Sequence, residues 1–210
     1  MRSKILRLLG RKHVSPTREA RIWSNEIVRK IAPHVTGDVV NISAWRDQDK
    51  EGSSYRKYFT NANSYSTTNF QGWRGEDGIT DHELDLLKPA PVELREKFDV
   101  VYNHTTLEHV YDFVRALDTM NEMARDAILI VVPWMQHLHG PDDSDFWRFS
   151  PYAMRRLFNE RGFDIVVEAA GPDRAKVVYL TYFASRRAAY WEERLSSFGN
   201  DAVTIAERAL

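Results

Sequence analysis

Residues 98–110 read FDVVYNHTTLEHV and decide how the rest of the chain is interpreted. Phe98, Val100 and Val101 form a short apolar run, which is typical of a strand covered on both faces. The polar and ionisable residues that follow are Asn103, His104, Thr105, Thr106, Glu108 and His109. Because ligands bind just beyond the carboxyl ends of strands in an open parallel sheet, this stretch predicts a pocket. The alternative is an ordinary loop whose polar residues only cap and solvate the strand end.

Length and composition indicate one globular domain with one core. The chain has 210 residues, of which 43% are hydrophobic and 28% charged, and its net charge of -1 argues against a dedicated nucleic-acid binder. The absence of cysteine excludes disulfides, thiolate metal sites and cysteine nucleophiles, and it favours a cytoplasmic location. No apolar run approaches the roughly 20 residues that span a bilayer.

The first 12 residues form a basic amphipathic segment, with five basic residues and no acidic one. Such a segment could lie on the inner face of a membrane or against a protein partner. A frayed N-terminal turn is the alternative. The sequence predicts no oligomeric state.

Strand and helix patterns alternate along the chain, which indicates an α/β fold. The predicted strands are residues 37–44, 64–70, 81–87, 98–101, 127–132, 163–169 and 176–184, and the pattern at 81–87 is the weakest. Helices are predicted to start at Ser15, Asp112 and Ser150, and a further one includes Trp191 and Leu195. The short connection between the last two strands permits only an antiparallel pair.

Three segments together resemble the class I S-adenosylmethionine-dependent methyltransferases, in particular methyltransferase-type-11-like members associated with polysaccharide biosynthesis. They are residues 98–110, residues 127–133, and residues 145–162, which begin DFWRF. The resemblance implies a Rossmann-like, mostly parallel sheet with a C-terminal antiparallel hairpin and helices on both faces. It places a methyltransferase-like domain at 37–184, between an N-terminal basic segment and helix at 1–36 and a C-terminal helical extension at 185–210. It also implies S-adenosylmethionine as cofactor and a saccharide or glycan-linked acceptor.

The turn after the first strand departs from this family. An acidic residue and a glycine-rich turn are expected there, because glycine lets the backbone approach the cofactor, but the chain has Asn41-Ile42-Ser43-Ala44-Trp45. The resemblance places the cofactor on Asn41, Ser43, Ala44, Trp45, Asn69, Asp85, Asn103 and His104. Trp45 could stack on adenine or face the sulfonium. Alternatively it fills the vacated pocket, and the protein is a non-catalytic relative that serves as a binding or scaffolding subunit.

Histidines near the strand ends are the candidate bases for a hydroxyl acceptor, since imidazole titrates near working pH. The predicted catalytic residues are His109, His104 and Glu108. The predicted acceptor-binding residues are His137, His139, Asp145, Trp147 and Arg148. Trp147 would stack on a sugar and Arg148 would bind an anionic group, or both would only anchor the loop. His137 and His139 with the aspartates at 142, 143 and 145 match no fixed metal motif, so we predict no metal site.

Overall fold

Seven strands form one sheet in the part of the chain that the computed structural model describes, which is residues 15–70, 80–139, 144–172 and 177–196. The strands are β1 (Asp38–Ile42), β2 (Ser64–Asn69), β3 (His82–Glu83), β4 (Phe98–His104), β5 (Ala124–Met135), β6 (Asp164–Pro172) and β7 (Val178–Ser185). Their order is β3-β2-β1-β4-β5-β7-β6. Strands β1 to β5 run parallel, and β7 is antiparallel to β5 and β6. The predicted mostly parallel sheet with a C-terminal hairpin is confirmed.

The α-helices of the described residues are α1 (Pro16–Ile31), α2 (Phe113–Met123), α3 (Pro151–Asn159) and α4 (Ala188–Arg194). The first three begin where the sequence predicts. Side-chain oxygens of Ser15, Asp112 and Ser150 each accept a hydrogen bond from a backbone N–H three residues later, which caps the helix. Among these helices, none combines the length and the apolar character that crossing a membrane requires.

Helices cover both faces of the sheet, as the resemblance implies. Alternate residues of a strand point to opposite faces, and β5 shows this in full. The β5 side chains that share a core with α1 and α4 are Ala127, Leu129 and Val131. Those that share a core with α2 and α3 are Ile128, Ile130 and Val132. The continuous apolar run at 127–132 therefore reflects burial on both sides.

Of the seven strands, β3 and β5 differ most in length from their predictions. β3 covers only His82–Glu83 rather than residues 81–87, because the chain turns there and Leu84 and Leu86 pack into the core. β5 continues past Pro133 to Met135, although proline normally ends a central strand. A register shift between Pro133 and Met135 accommodates the missing N–H. The extension leads towards His137 and His139, two of the predicted acceptor-binding residues.

Residues 43–63, all of which are described, connect β1 to β2 without an α-helix and contain only a 3-10 helix at Tyr55–Tyr58. Two aspartates organise this connection. Asp47 accepts hydrogen bonds from the Asn41 side chain at 2.9 Å and the Tyr65 hydroxyl at 2.7 Å. Asp49 is fully buried and accepts from the Tyr58 hydroxyl at 2.6 Å. The polar loop that the sequence predicts is thus an ordered, internally bonded segment.

Some predicted features lie outside the described residues. They are the basic segment at 1–12, the aspartates at 142 and 143, and the start of the last predicted strand at residue 176. The division of the chain at residues 36 and 184 stays a prediction.

Candidate functional site

The carboxyl ends of β1 and β4 lie side by side at the centre of the sheet, where the strand order reverses. Ligands of open α/β sheets bind at such a switch point. Asn103, at the end of β4, is fully buried and donates to the backbone oxygen of Ile42 at 3.0 Å and to the Thr106 hydroxyl at 2.9 Å. Its Oδ1 has no partner among the described residues. The Asn103 amide therefore links the ends of β1 and β4, and its Oδ1 stays available to accept a hydrogen bond.

The turn after β1 uses its own backbone amides. Ser43 N–H donates to the Thr68 hydroxyl at 3.2 Å, and Ala44 N–H donates to the Thr68 carbonyl at 2.9 Å. Trp45 has φ 48°, in the left-handed region, and its side chain stays 42% exposed. An indole that exposed does not fill a buried pocket, so the pocket-filling interpretation of Trp45 loses support.

Two of the predicted cofactor residues, Asn69 and Asp85, lie near β2 and β3. Asn69 ends β2, half-buried, and its carbonyl accepts from Leu84 N–H at 2.9 Å. Asp85 lies beyond β3, where its carboxylate accepts from Leu87 N–H at 3.0 Å and pairs with the Lys88 ammonium at 3.1 Å. Asp85 thus stabilises a local turn, and its assignment to the cofactor stays a prediction.

His104 belongs to a closed group that we call the Arg21 cluster: Arg21, Ser24, His104 and Thr105. The Arg21 guanidinium donates to His104 Nδ1 at 3.0 Å and to the Thr105 hydroxyl at 2.8 Å. Because Nδ1 accepts, Nε2 carries the proton and donates to Ser24 Oγ at 2.9 Å. Burial lowers the pKa of His104 well below its ordinary value, and the charges of Arg21 and Lys50 lower it further. Both ring nitrogens are occupied, which favours a positioning role for His104 over that of a free base.

Glu108, His109 and His139 form a second group, the Glu108 cluster. The first two lie on a 3-10 helix after β4 (Leu107–His109), and His139 follows β5. One ligand atom from each residue lies within 4.8 Å of those of the other two. The Glu108 side chain is only 1% exposed, and neither carboxyl oxygen has a hydrogen-bond partner in the described ranges. Burial raises the pKa of Glu108 to about 8.

Within the described ranges, each histidine of the Glu108 cluster has one ring nitrogen in a hydrogen bond and the other without one. His109 Nδ1 lies 2.8 Å from the Ser144 carbonyl, which can only accept, so Nδ1 carries the proton. His139 Nδ1 lies 3.0 Å from a carboxylate oxygen of Asp145. Burial lowers the pKa of His139, although Asp145 opposes that shift. Both rings therefore keep Nε2 as a lone-pair nitrogen.

The acceptor-side loop, by which we mean the described residues 136–139 and 144–149, is held together by Asp145, Trp147 and Arg148. Burial alone would raise the pKa of Asp145, but hydrogen bonds from Arg148 and from the His139 backbone hold it at about 2. Arg148 also donates to the Gln136 carbonyl at 3.0 Å, and the Trp147 indole donates to the Tyr111 carbonyl at 3.0 Å. These contacts favour the anchoring interpretation of Trp147 and Arg148. His137 is exposed on the same loop.

Sequence reasoning missed Arg21, Ser24 and Asp47. A signal existed for the first two, since residues 21, 24 and 28 share one stripe of α1 and an arginine in a buried stripe requires a partner. Asp47 had no such signal, because its partners Asn41 and Tyr65 lie on two different strands.

No family model matches the sequence, and no curated protein matches it. Solved structures do match the fold. Magnesium protoporphyrin IX methyltransferase (ChlM) from Synechocystis PCC 6803, with bound SAH, has a TM-score of 0.55 and 11% identity over 88% of this chain and 93% of that one. A SAM-dependent methyltransferase from Aquifex aeolicus has a TM-score of 0.52 and 9% identity over 77% and 88% of the two chains.

A third structure, from Rhodobacter sphaeroides and provisionally described as a Zn-dependent alcohol dehydrogenase, has a TM-score of 0.57 and 18% identity over 78% and 90% of the two chains. At such identities the likeness shows the fold alone. The seven-stranded sheet matches the Rossmann-like methyltransferase fold, as predicted.

Proposed function

We propose that this protein is an S-adenosylmethionine-dependent methyltransferase that acts on a hydroxyl of a saccharide or glycan-linked acceptor. The observation that carries the proposal is the strand order β3-β2-β1-β4-β5-β7-β6 with antiparallel β7, combined with polar side chains at the β1 and β4 ends. The polysaccharide association comes from the sequence resemblance in residues 98–110 and 145–162.

The residues at the carboxyl ends of β1 and β4 fit S-adenosylmethionine through their side chains, because the turn after β1 contains no glycine. The amides of Ser43 and Ala44 are already paired, so they cannot cradle a ligand. The partly exposed ring of Trp45, with the Arg46 guanidinium 5.4 Å from its centroid, can stack on adenine or attract a sulfonium. The orphaned Asn103 Oδ1 offers an acceptor for an ammonium group.

Bound S-adenosylmethionine supplies a methyl group on a sulfonium. The protein holds the acceptor hydroxyl in line and takes up its proton, and positioning alone can contribute a large part of the rate. Of the two predicted bases, His109 has an open ring nitrogen, whereas His104 does not. We therefore place His109, and not His104, on the acceptor side of the site.

Calorimetric titration of the full chain with S-adenosylmethionine and, separately, with SAH tests the proposal. We expect micromolar binding that Trp45→Ala weakens about 3- to 30-fold, the range of a cation–π or stacking contact. Tyr190→Ala is the matched control, because Tyr190 is also 42% exposed beneath an arginine but lies on α4.

Absence of binding at millimolar cofactor would refute the enzyme proposal. It would support the non-catalytic binding or scaffolding subunit, which the paired amides of Ser43 and Ala44 favour.

A further inference from the structure

Glu108 has a buried carboxyl group that lies close to the imidazoles of His109 and His139. Its side chain is 1% exposed, and both oxygens lack hydrogen bonds within the described residues. An unpaired buried carboxylate is strongly unfavourable, so such a group is normally paired or coordinated to a metal. His109 Nε2 lies 3.8 Å from Glu108 Oε1, which is too long for a hydrogen bond.

The two histidines have the outer contacts that metal ligands have. A ligating histidine typically donates its other N–H to a carbonyl or carboxylate, which fixes the ring and its tautomer. His109 Nδ1 meets the Ser144 carbonyl at 2.8 Å, and His139 Nδ1 meets Asp145 at 3.0 Å. Arg148 in turn holds Asp145 through both of its terminal nitrogens, at 2.6 Å and 2.7 Å.

We propose that Glu108, His109 and His139 bind one divalent transition-metal ion of the zinc type. Two imidazoles and one carboxylate suit zinc, and three protein ligands leave a coordination position open. Ligand atoms around tetrahedral zinc lie about 3.3 Å apart for bonds of about 2.0 Å. One ligand atom from each of the three residues lies within 4.8 Å of those of the other two, so modest side-chain rotation closes the site.

The three ligands come from two different strand ends, which explains why sequence spacing did not indicate them. The expectation of no metal rested on His137 and His139, but His137 is exposed and takes no part in the cluster. The partner of His139 is instead the Glu108–His109 pair, about 30 residues earlier in the chain. The open position would take an oxygen ligand such as a hydroxyl, carboxylate or water.

Zinc titration of the chelator-treated full chain tests this inference, with no S-adenosylmethionine present. We expect one zinc ion per chain with micromolar or tighter affinity, and visible d–d absorption when cobalt replaces zinc. Glu108→Gln, His109→Gln and His139→Gln should each weaken binding at least tenfold. His137→Gln, on the same loop, should leave affinity unchanged. Circular dichroism in chelator checks that each variant is folded.

Failure of the wild-type protein to bind zinc at micromolar concentrations would overturn the inference. So would equal binding by all three ligand variants, since the ion would then lie elsewhere in the chain. Because neither readout involves the cofactor, a negative result here leaves the methyltransferase proposal intact, and a failed cofactor titration leaves the metal site intact.

Discussion

The Arg21 cluster and the Glu108 cluster both lie at the carboxyl end of β4, but they are built in opposite ways. In the first, both nitrogens of His104 are occupied and the guanidinium of Arg21 joins three neighbours. In the second, His109 keeps a nitrogen open and both oxygens of Glu108 lack partners among the described residues. Residue types alone therefore do not separate a structural cluster from a ligand site. The two kinds of cluster are separated by whether their polar atoms already have hydrogen-bond partners.

The largest expected effect comes from a substitution that breaks the Arg21 cluster. Arg21→Met keeps the aliphatic stem but removes the hydrogen bonds to Tyr55, His104 and Thr105. We expect a loss of about 2–4 kcal/mol in the free energy of unfolding, measured by urea denaturation, because each hydrogen bond contributes about 1 kcal/mol.

The matched substitution in the Glu108 cluster should change the free energy of unfolding only slightly. His109→Gln in chelator should lower the free energy of unfolding by less than about 1 kcal/mol, since it removes one hydrogen bond from a partly exposed ring. Equal losses in the two variants would erase the distinction between the clusters.

The pH dependence of stability gives an intermediate effect. Burial and the charges of Arg21 and Lys50 hold the pKa of folded His104 well below its ordinary value near 6.5. Its contribution to stability is therefore present above pH 6.5, and it is lost as the pH falls because only the unfolded state takes up the proton. The loss reaches up to about 1.4 kcal/mol per pH unit.

The measurement is urea denaturation of the wild-type protein and His104→Gln between pH 7.5 and 5, a window chosen about the ordinary histidine pKa of roughly 6.5. Other titrating groups affect both proteins alike, so the difference between the two curves isolates His104. We expect that difference to shrink steadily below pH 6.5. A constant difference would mean that folded His104 titrates normally and that its ring is not held by Arg21.

Much of the fold was predictable, because its signals are local. The apolar run at 127–132 and the caps at Ser15, Asp112 and Ser150 act over a few residues, and all appear in the structure. The failures were at irregular points. The short β3 and the extension of β5 past Pro133 depend on packing and on a register shift, which no local pattern encodes.

The candidate site was predicted as a set of residues but not as a set of contacts. Glu108, His109 and His139 were all named, yet their meeting depends on how the ends of β4 and β5 approach each other. The environment of His104 was not predictable, since Arg21 and Ser24 lie 83 and 80 residues earlier in the chain. Long-range partners of this kind decide which histidine is free.

A second substitution in the Glu108 cluster should reverse the usual sign of a core substitution. Glu108→Met replaces a buried carboxyl, which has no hydrogen-bond partner in the part of the chain that the structure describes, with an apolar side chain of similar size and high flexibility. Removing a buried polar group that makes no hydrogen bond is neutral or stabilising. In chelator we therefore expect Glu108→Met to raise the free energy of unfolding by about 1 kcal/mol.

Zinc should then reverse this order, because an ion that binds only the folded state stabilises it. At a zinc concentration 100 times the dissociation constant, the wild-type protein gains about 2.7 kcal/mol, whereas Glu108→Met gains little. Urea denaturation with chelator and with zinc measures both differences. If Glu108→Met were destabilising in chelator, Glu108 would have a partner in the metal-free protein, and the Glu108 cluster would be as closed as the Arg21 cluster.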